Sequence, residues 1–344
     1  MNKTFPFDTD ALIPLFLAPM AGITDWCFRL LCEEQGCDIA TTEMISAQGY
    51  MTARKSIGAY RRLTARAHFE KPLLAQIFGT DPSWMAEAAK ALTDTGRFVG
   101  IDINMGCPAR KVTGGGAGSA LMRDESLAGR IIGAVSAATA LPVSVKMRLG
   151  WDENTGNAAS LARIAELEGA KLVTVHGRTR EQQYSGKADW EGIAKVRRAV
   201  SIPVVANGDI ADGPSALRAL KVTGCQGLAV GRAALGNPWV FMELRSALNG
   251  EICSPVDIHE RLQTARRHAA YMRAAHDERT ALLEMRKFFA WYIKGVRGAA
   301  EIRTRINTAP TFEAVYALLD QFEASVSDQT AASSQAPLPS KISD

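Results

Sequence analysis

Between positions 14 and 230, short apolar and β-branched runs alternate with longer stretches whose apolar positions recur at helical spacing. The runs at 14–19, 38–42, 73–78, 99–104, 143–147, 172–176, 203–206 and 227–230 predict strands. The stretches between them carry helix punctuation. In the stretch 81–95, Asp81 reads as an N-cap followed by Pro82 at the first helical position; in 212–222, Asp212 caps and Gly224 stops the helix.

Runs that are almost wholly apolar and alternate with helices indicate parallel strands covered by helices on their outer faces. Eight such units in roughly 250 residues fit a (β/α)8 TIM barrel. A doubly wound open sheet shares the alternation, because periodicity does not report closure. After Gly250 only helical spacing continues, over 255–276, 278–295, 299–307 and 311–323, with Trp291, Tyr292 and Phe312 available for a small core. The expected organisation is a barrel domain at 1–250, an all-helical C-terminal domain at 251–324, and a disordered Ser/Ala/Gln/Pro-rich tail at 325–344.

The strand exits carry the polar residues. In order they are Pro19-Met20, Glu43, Gln76, Asn104 with Cys107, Lys146 with Arg148, His176 with Arg178, Asn207-Gly208-Asp209, and Gly231-Arg232. In a barrel these converge on one face, where active sites are assembled. Structural roles could account for one or two, such as a core histidine at 176 or a helix cap at Glu43, but poorly for all eight. The loops A-N-G-D-I (206–210) and A-V-G-R-A-A-L-G-N-P (229–238) follow the last two strands, the place where barrels bind phosphate. Glycine there permits close backbone approach and Arg232 adds a forked cation, so a phosphorylated cofactor is expected. The glycines at 114–118 form neither a dinucleotide fingerprint nor a P-loop and are read as a flexible loop facing substrate.

Composition narrows the classes. The chain has 344 residues, 47% of them hydrophobic, with no run of eighteen apolar residues, and its first ten positions carry acidic residues and proline where a signal peptide needs an apolar core. A cytoplasmic protein with no membrane association is expected. Six cysteines show neither a C-x-x-C pair nor zinc-like spacing, so no metal site and no disulfide framework is expected. The net charge of +4 is modest, but residues 261–305 hold eleven basic side chains against four acidic ones. A solvated helical face and a nucleic-acid surface both fit that excess.

Taken together, A-P-M-A-G-I-T-D (18–25), Q-I-F-G (76–79), D-I-N-M-G-C-P (102–108), V-K-M-R-L-G-W (145–151), V-H-G-R-T-R (175–180), A-N-G-D-I and G-R resemble the tRNA-dihydrouridine synthases. The resemblance runs from about Leu15 to Gln321, and R-K-F-F-A-W-Y-I-K-G (286–295) is most similar to the bacterial B-type subgroup. It implies an FMN enzyme that uses NADPH to reduce the C5=C6 bond of particular uridines in tRNA. By motif, Pro19, Met20 and Ala21 would lie against the flavin ring, Gln76 at its polar edge and Lys146 near N1 and O2. His176, Asn207, Gly208, Asp209, Gly231 and Arg232 would hold the ribityl phosphate and neighbouring atoms.

Hydride from reduced FMN to C6 of uracil leaves charge on C5 and the C4 carbonyl, which calls for a proton donor. Cys107 is the expected catalytic acid, since a thiol with a pKa near ~8.5 is mostly protonated at neutral pH; a lone cysteine at a turn is otherwise often a small buried hydrophobe. Asn104 is expected at the uracil edge, with Lys111 on a loop that orders over RNA. Arg148, Arg178 and Arg180 are expected at the mouth, and Arg286, Lys287 and Lys294 on the tRNA body. The target base must be flipped out of the folded tRNA. A monomer without an obligate protein partner is expected. The alternatives are an FMN oxidoreductase of a free pyrimidine, similar to dihydroorotate dehydrogenases, and a non-enzymatic RNA-binding protein.

Overall fold

The computed structural model describes residues 13–52, 57–67, 70 and 72–334. Its sheet has nine strands: β1 (Leu15–Leu17), β2 (Ile39–Thr41), β3 (Ile45–Ser46), β4 (Leu73–Phe78), β5 (Gly100–Met105), β6 (Val143–Arg148), β7 (Leu172–His176), β8 (Val204–Asn207) and β9 (Gly227–Val230). Every pairing is parallel, and the circuit closes where β1 pairs with both β2 and β9. The barrel has eight positions, because β2 and β3 occupy the same one. Both pair with β4, β2 against Leu73 and Leu74 and β3 against Ile77 and Phe78. Between them the Thr42 hydroxyl accepts the Gln76 N–H at 3.0 Å, so a side chain takes over one rung of the ladder. Closure decides against the open sheet.

The helices lie where the punctuation places them. Asp81 accepts from the Ser83 and Trp84 amides at the start of helix Pro82–Thr93, and Asp212 and Ser215 form a reciprocal capping box on helix Gly213–Thr223. Gly224 ends that helix in the left-handed conformation that its lack of Cβ allows.

Inside the barrel the character of the side chains changes along each strand. Phe16, Ile39, Leu74, Leu172, Val205 and Ala229 pack into one apolar cluster. Because side chains on one face of a strand recur every second residue, the next inward positions on these strands include Gln76 after Leu74, His176 two steps beyond Leu172, and Asn207 after Val205. An apolar floor therefore gives way to a polar upper layer.

The chain divides into two compact units, the second formed by Leu235–Asn237 and the residues from Ser254 onward. That unit contains helices Ile258–Ala275, Glu278–Tyr292, Ala299–Thr308 and Phe312–Ser334. Leu262, Ala269, Met285, Phe289, Tyr292, Ile306 and Phe312 are buried in it, and Trp291 is half-buried. Gly236 belongs to this unit. A β-carbon there would lie 2.3 Å from the Trp291 carbonyl carbon, so only glycine fits. The last helix runs past position 325, where the sequence reading starts a disordered tail, and 335–344 lie outside the described residues.

Candidate active site

Cys107 leaves β5 on a turn fixed from two sides. On one side Asn104 Oδ1 accepts the backbone N–H of Gly106 at 3.1 Å and of Cys107 at 2.9 Å. On the other, Ser119 donates to the Cys107 carbonyl through both its amide (3.1 Å) and its hydroxyl (2.9 Å). Gly118 makes this contact possible: it has a φ of +62°, and a β-carbon there would lie 2.8 Å from that same carbonyl. The glycine-rich segment is therefore a hydrogen-bonded turn that backs the cysteine, with Gly114 bonded to Arg110 and Ala117 to Val112. The segment read from sequence as a flexible loop facing substrate thus carries its own internal hydrogen bonds. Lys111 stands exposed on the short helix Arg110–Thr113 of this segment.

Below the turn lies a buried polar network. Asn104 Nδ2 donates to Gln76 Oε1 (2.8 Å), Gln76 Nε2 to Asp102 Oδ2 (2.7 Å), and Ser144 Oγ to Asp102 Oδ1 (2.6 Å). Burial pushes the Asp102 carboxyl up to about 6, against the lowering effect of these two donors and of the Lys146 cation.

Lys146 neighbours Asn104 in register and donates to Asn207 Oδ1 at 3.3 Å, while Asn207 Nδ2 is held by the Ala229 carbonyl at 2.8 Å. Burial, helped by the nearby Arg148 cation and opposed by Asp102, brings the ammonium down to about 8. His176 is driven down to about 2, first by burial and then by Lys146 and the surrounding arginines, so its ring is neutral. Its Nε2 lies 3.4 Å from Arg178 Nη1, a geometry in which a neutral ring accepts.

The loops after β8 and β9 suit an anion. Gly208, with a φ of +111°, leaves no room for a β-carbon, which would lie 2.8 Å from the His176 ring. Gly231 has only Ala18 Cβ at 4.0 Å beside it, so its backbone can be approached. Among the described residues, the N–H groups of Gly208, Asp209, Gly231 and Arg232 form no hydrogen bond. Arg232 extends its guanidinium over the Tyr184 ring, 4.6 Å from the centroid. Pro19 and Met20 are half-buried and Ala21 exposed at the end of β1.

Two arginines occupy a different place from the one expected. Arg148 and Arg178 are each only 2% exposed. Arg148 donates to the carbonyls of Gly106, Thr179 and Gln183 at 2.7–2.9 Å, and Arg178 to those of Ser185 and Gly186 and to both oxygens of Asp209. Their guanidiniums brace the loops, because buried carbonyls need donors and the planar fork supplies several at once. Arg180 stacks over Trp151 at 4.5 Å, with Arg123 at the same distance from that ring. In the second unit Lys294 is exposed, Lys287 pairs with Glu284, and Arg286 donates to the Ala309 carbonyl at 3.1 Å.

Sequence reasoning missed Asp102, Ser144, Tyr184 and Trp151. The first two sit at inward positions that period-2 counting back from Asn104 and Lys146 would have found. Tyr184 follows from nothing short of the loop's path. Among the described residues no group of three or more His, Cys, Asp or Glu is placed to hold a metal ion, and no helix is long and apolar enough to cross a membrane.

The chain matches the model of the dihydrouridine synthases (Dus) over residues 16–327. It is 43% identical to a probable tRNA-dihydrouridine synthase of Rhodobacter capsulatus over 89% of this chain and 93% of that one. It is 42% identical to tRNA-dihydrouridine synthase B of Xanthomonas axonopodis over 90% and 93%. Among solved structures, histamine dehydrogenase from a Rhizobium species shares the fold, with a TM-score of 0.50 at 14% identity over 66% of this chain and 44% of that one. A family match across nearly the whole chain, with relatives of this similarity, means that the chain belongs to the dihydrouridine synthase family.

Proposed function

We propose that this protein reduces the C5=C6 bond of specific uridines in tRNA to 5,6-dihydrouridine, with FMN as the resident cofactor and NADPH as the reductant. The observation that carries the reading is a cysteine locked at the exit of β5, one strand from a half-buried lysine, at the end of the barrel whose last two loops suit a phosphate.

The donor set fits the cofactor. Open N–H groups at Gly208, Asp209, Gly231 and Arg232, together with the Arg232 guanidinium, suit a phosphate. Lys146 would offer a cation to the electron-rich edge of the ring, stronger in this water-poor site than in solution. Gln76, already bonded at both ends of its amide, retains one N–H for the ring edge. Pro19, Met20 and Ala21 would form the wall beside it. When bound and reduced by NADPH, FMN supplies the hydride that goes to C6 of uracil.

Cys107 then gives the Sγ proton to C5, which bears the negative charge, and solvent reprotonates the thiolate. Asn104 holds the backbone that carries the thiol. The substrate base reaches this depth only when flipped from the RNA, at a cost of a few kcal/mol. The helical unit supplies basic groups for the rest of the tRNA, among them Lys294. A surface committed to holding tRNA favours a monomer acting in the cytoplasm, without an obligate protein partner.

The test is to incubate the purified protein with NADPH and unmodified tRNA transcript, record its flavin absorbance, and map dihydrouridine. A coloured protein that forms dihydrouridine bears out the reading. A colourless one that binds tRNA without turnover overturns it, as does reduction of a free pyrimidine instead of tRNA.

A further inference from the structure

The network beneath Cys107 has a direction. A side-chain amide can be turned either way, and in a buried row each choice constrains the next. Here both ends of the row dictate the same choice. At the lower end Asp102, when ionised, only accepts, so Gln76 must present Nε2 to it and Oε1 to Asn104. At the upper end two backbone N–H groups, of Gly106 and Cys107, require the oxygen of Asn104. Gln76, Asp102 and Asn104 are 1%, 3% and 7% exposed, so water is poorly placed to substitute for a mismatched partner.

We propose that Asp102 is a positioning residue: by fixing the orientation of the Gln76 and Asn104 amides, its carboxylate holds the Cys107 turn in place from the layer below. A reversed row would set the Asn104 NH2 against the amides of Gly106 and Cys107, donor facing donor. Ser144 supports the ionised form by donating to the other carboxylate oxygen, and Lys146 on the same strand is its charged neighbour. The inference about catalysis rests on the reading of Cys107 as the proton donor; the inference about position does not.

The experiment uses the full chain with and without Asp102→Asn, whose amide accepts either polarity in a side chain of nearly the same shape. Hydrogen exchange at the Gly106 and Cys107 amides should accelerate at least tenfold, and kcat for dihydrouridine formation, measured on the flavin-loaded fraction, should fall about tenfold at unchanged tRNA KM. Unaltered exchange at both amides overturns the proposal. Accelerated exchange with unaltered kcat leaves the positioning role standing and removes Cys107 from the chemistry. Ser144→Ala provides a second arm should Asp102→Asn fail to fold. Loss of a donor to the ionised carboxylate raises the pKa of Asp102, so the acid limb of kcat should move to higher pH; a limb that stays in place overturns the proposal.

Discussion

Arg178 grips both carboxylate oxygens of Asp209, at 2.9 and 2.8 Å, and so ties the loop after β7 to the loop after β8. The same guanidinium holds the Ser185 and Gly186 carbonyls, while Asp209 also takes the Ala188 amide at 2.7 Å. Asp209 adopts a φ of +55°, unusual for a residue with a side chain, and this clasp holds it there. Arg178→Ala should lower stability by about 2–4 kcal/mol, since several buried acceptors lose their donor. Chemical denaturation measures this. Flavin should be lost more readily in the variant while tRNA affinity changes little; a selective loss of tRNA binding would return Arg178 to the RNA surface.

Cys107→Ala keeps the turn, because its hydrogen bonds come from the backbone and from Asn104 and Ser119. Flavin content and reduction by NADPH should persist, and dihydrouridine formation should fall by roughly 10²–10⁴-fold, the usual loss for a missing general acid. Single-turnover assays separate the two half-reactions. Full turnover would remove the thiol from the mechanism.

Arg232 lies 3.8 Å from Asp209 and stacks on Tyr184, leaving its charge at the anion-suited loops. Arg232→Ala should raise the FMN dissociation constant by about tenfold or more, as expected for losing one charge-assisted hydrogen bond. Equilibrium dialysis gives the number, and an unchanged constant would rule out the phosphate assignment.

The Lys146 ammonium, brought down to about 8, is present below that pH and lost above it. FMN affinity should therefore decline as pH rises through this region. In Lys146→Gln the decline should vanish, because no charge remains to be lost. A wild-type affinity that is flat from neutral to alkaline pH would contradict the role given to this side chain.

For RNA the exposed residues of the helical unit matter most. Replacing Lys294, Arg297 and Arg303 with glutamine should weaken tRNA binding and flatten its salt dependence by several tenths of a log unit per residue that contacts phosphate. Arg286→Gln should act on stability instead, because that guanidinium serves the Ala309 carbonyl. Binding titrations at several salt concentrations, paired with melting curves, distinguish the two.

The strands and the polar residues at their exits were legible because buried parallel strands and tight turns leave strong local patterns. Closure was not, since no single run knows its partner across the barrel. The fates of Arg148 and Arg178 were hidden for a related reason. A sequence shows that a guanidinium stands at a strand exit; only the path of the 179–186 loop shows that its carbonyls are within reach. Gly118 was visible as a loop glycine, but its packing against Cys107 required the fold.

The change from apolar floor to polar upper layer has a use for engineering. Leu74 and Gln76 are two residues apart on one strand, yet the first packs in the apolar floor and the second joins the polar network beneath Cys107. Asp102 and Ser144 mark the boundary between those levels. A redesign for another substrate can exchange side chains above that line and inherit a finished scaffold beneath it. A substitution below the line instead disturbs the packing on which every strand depends.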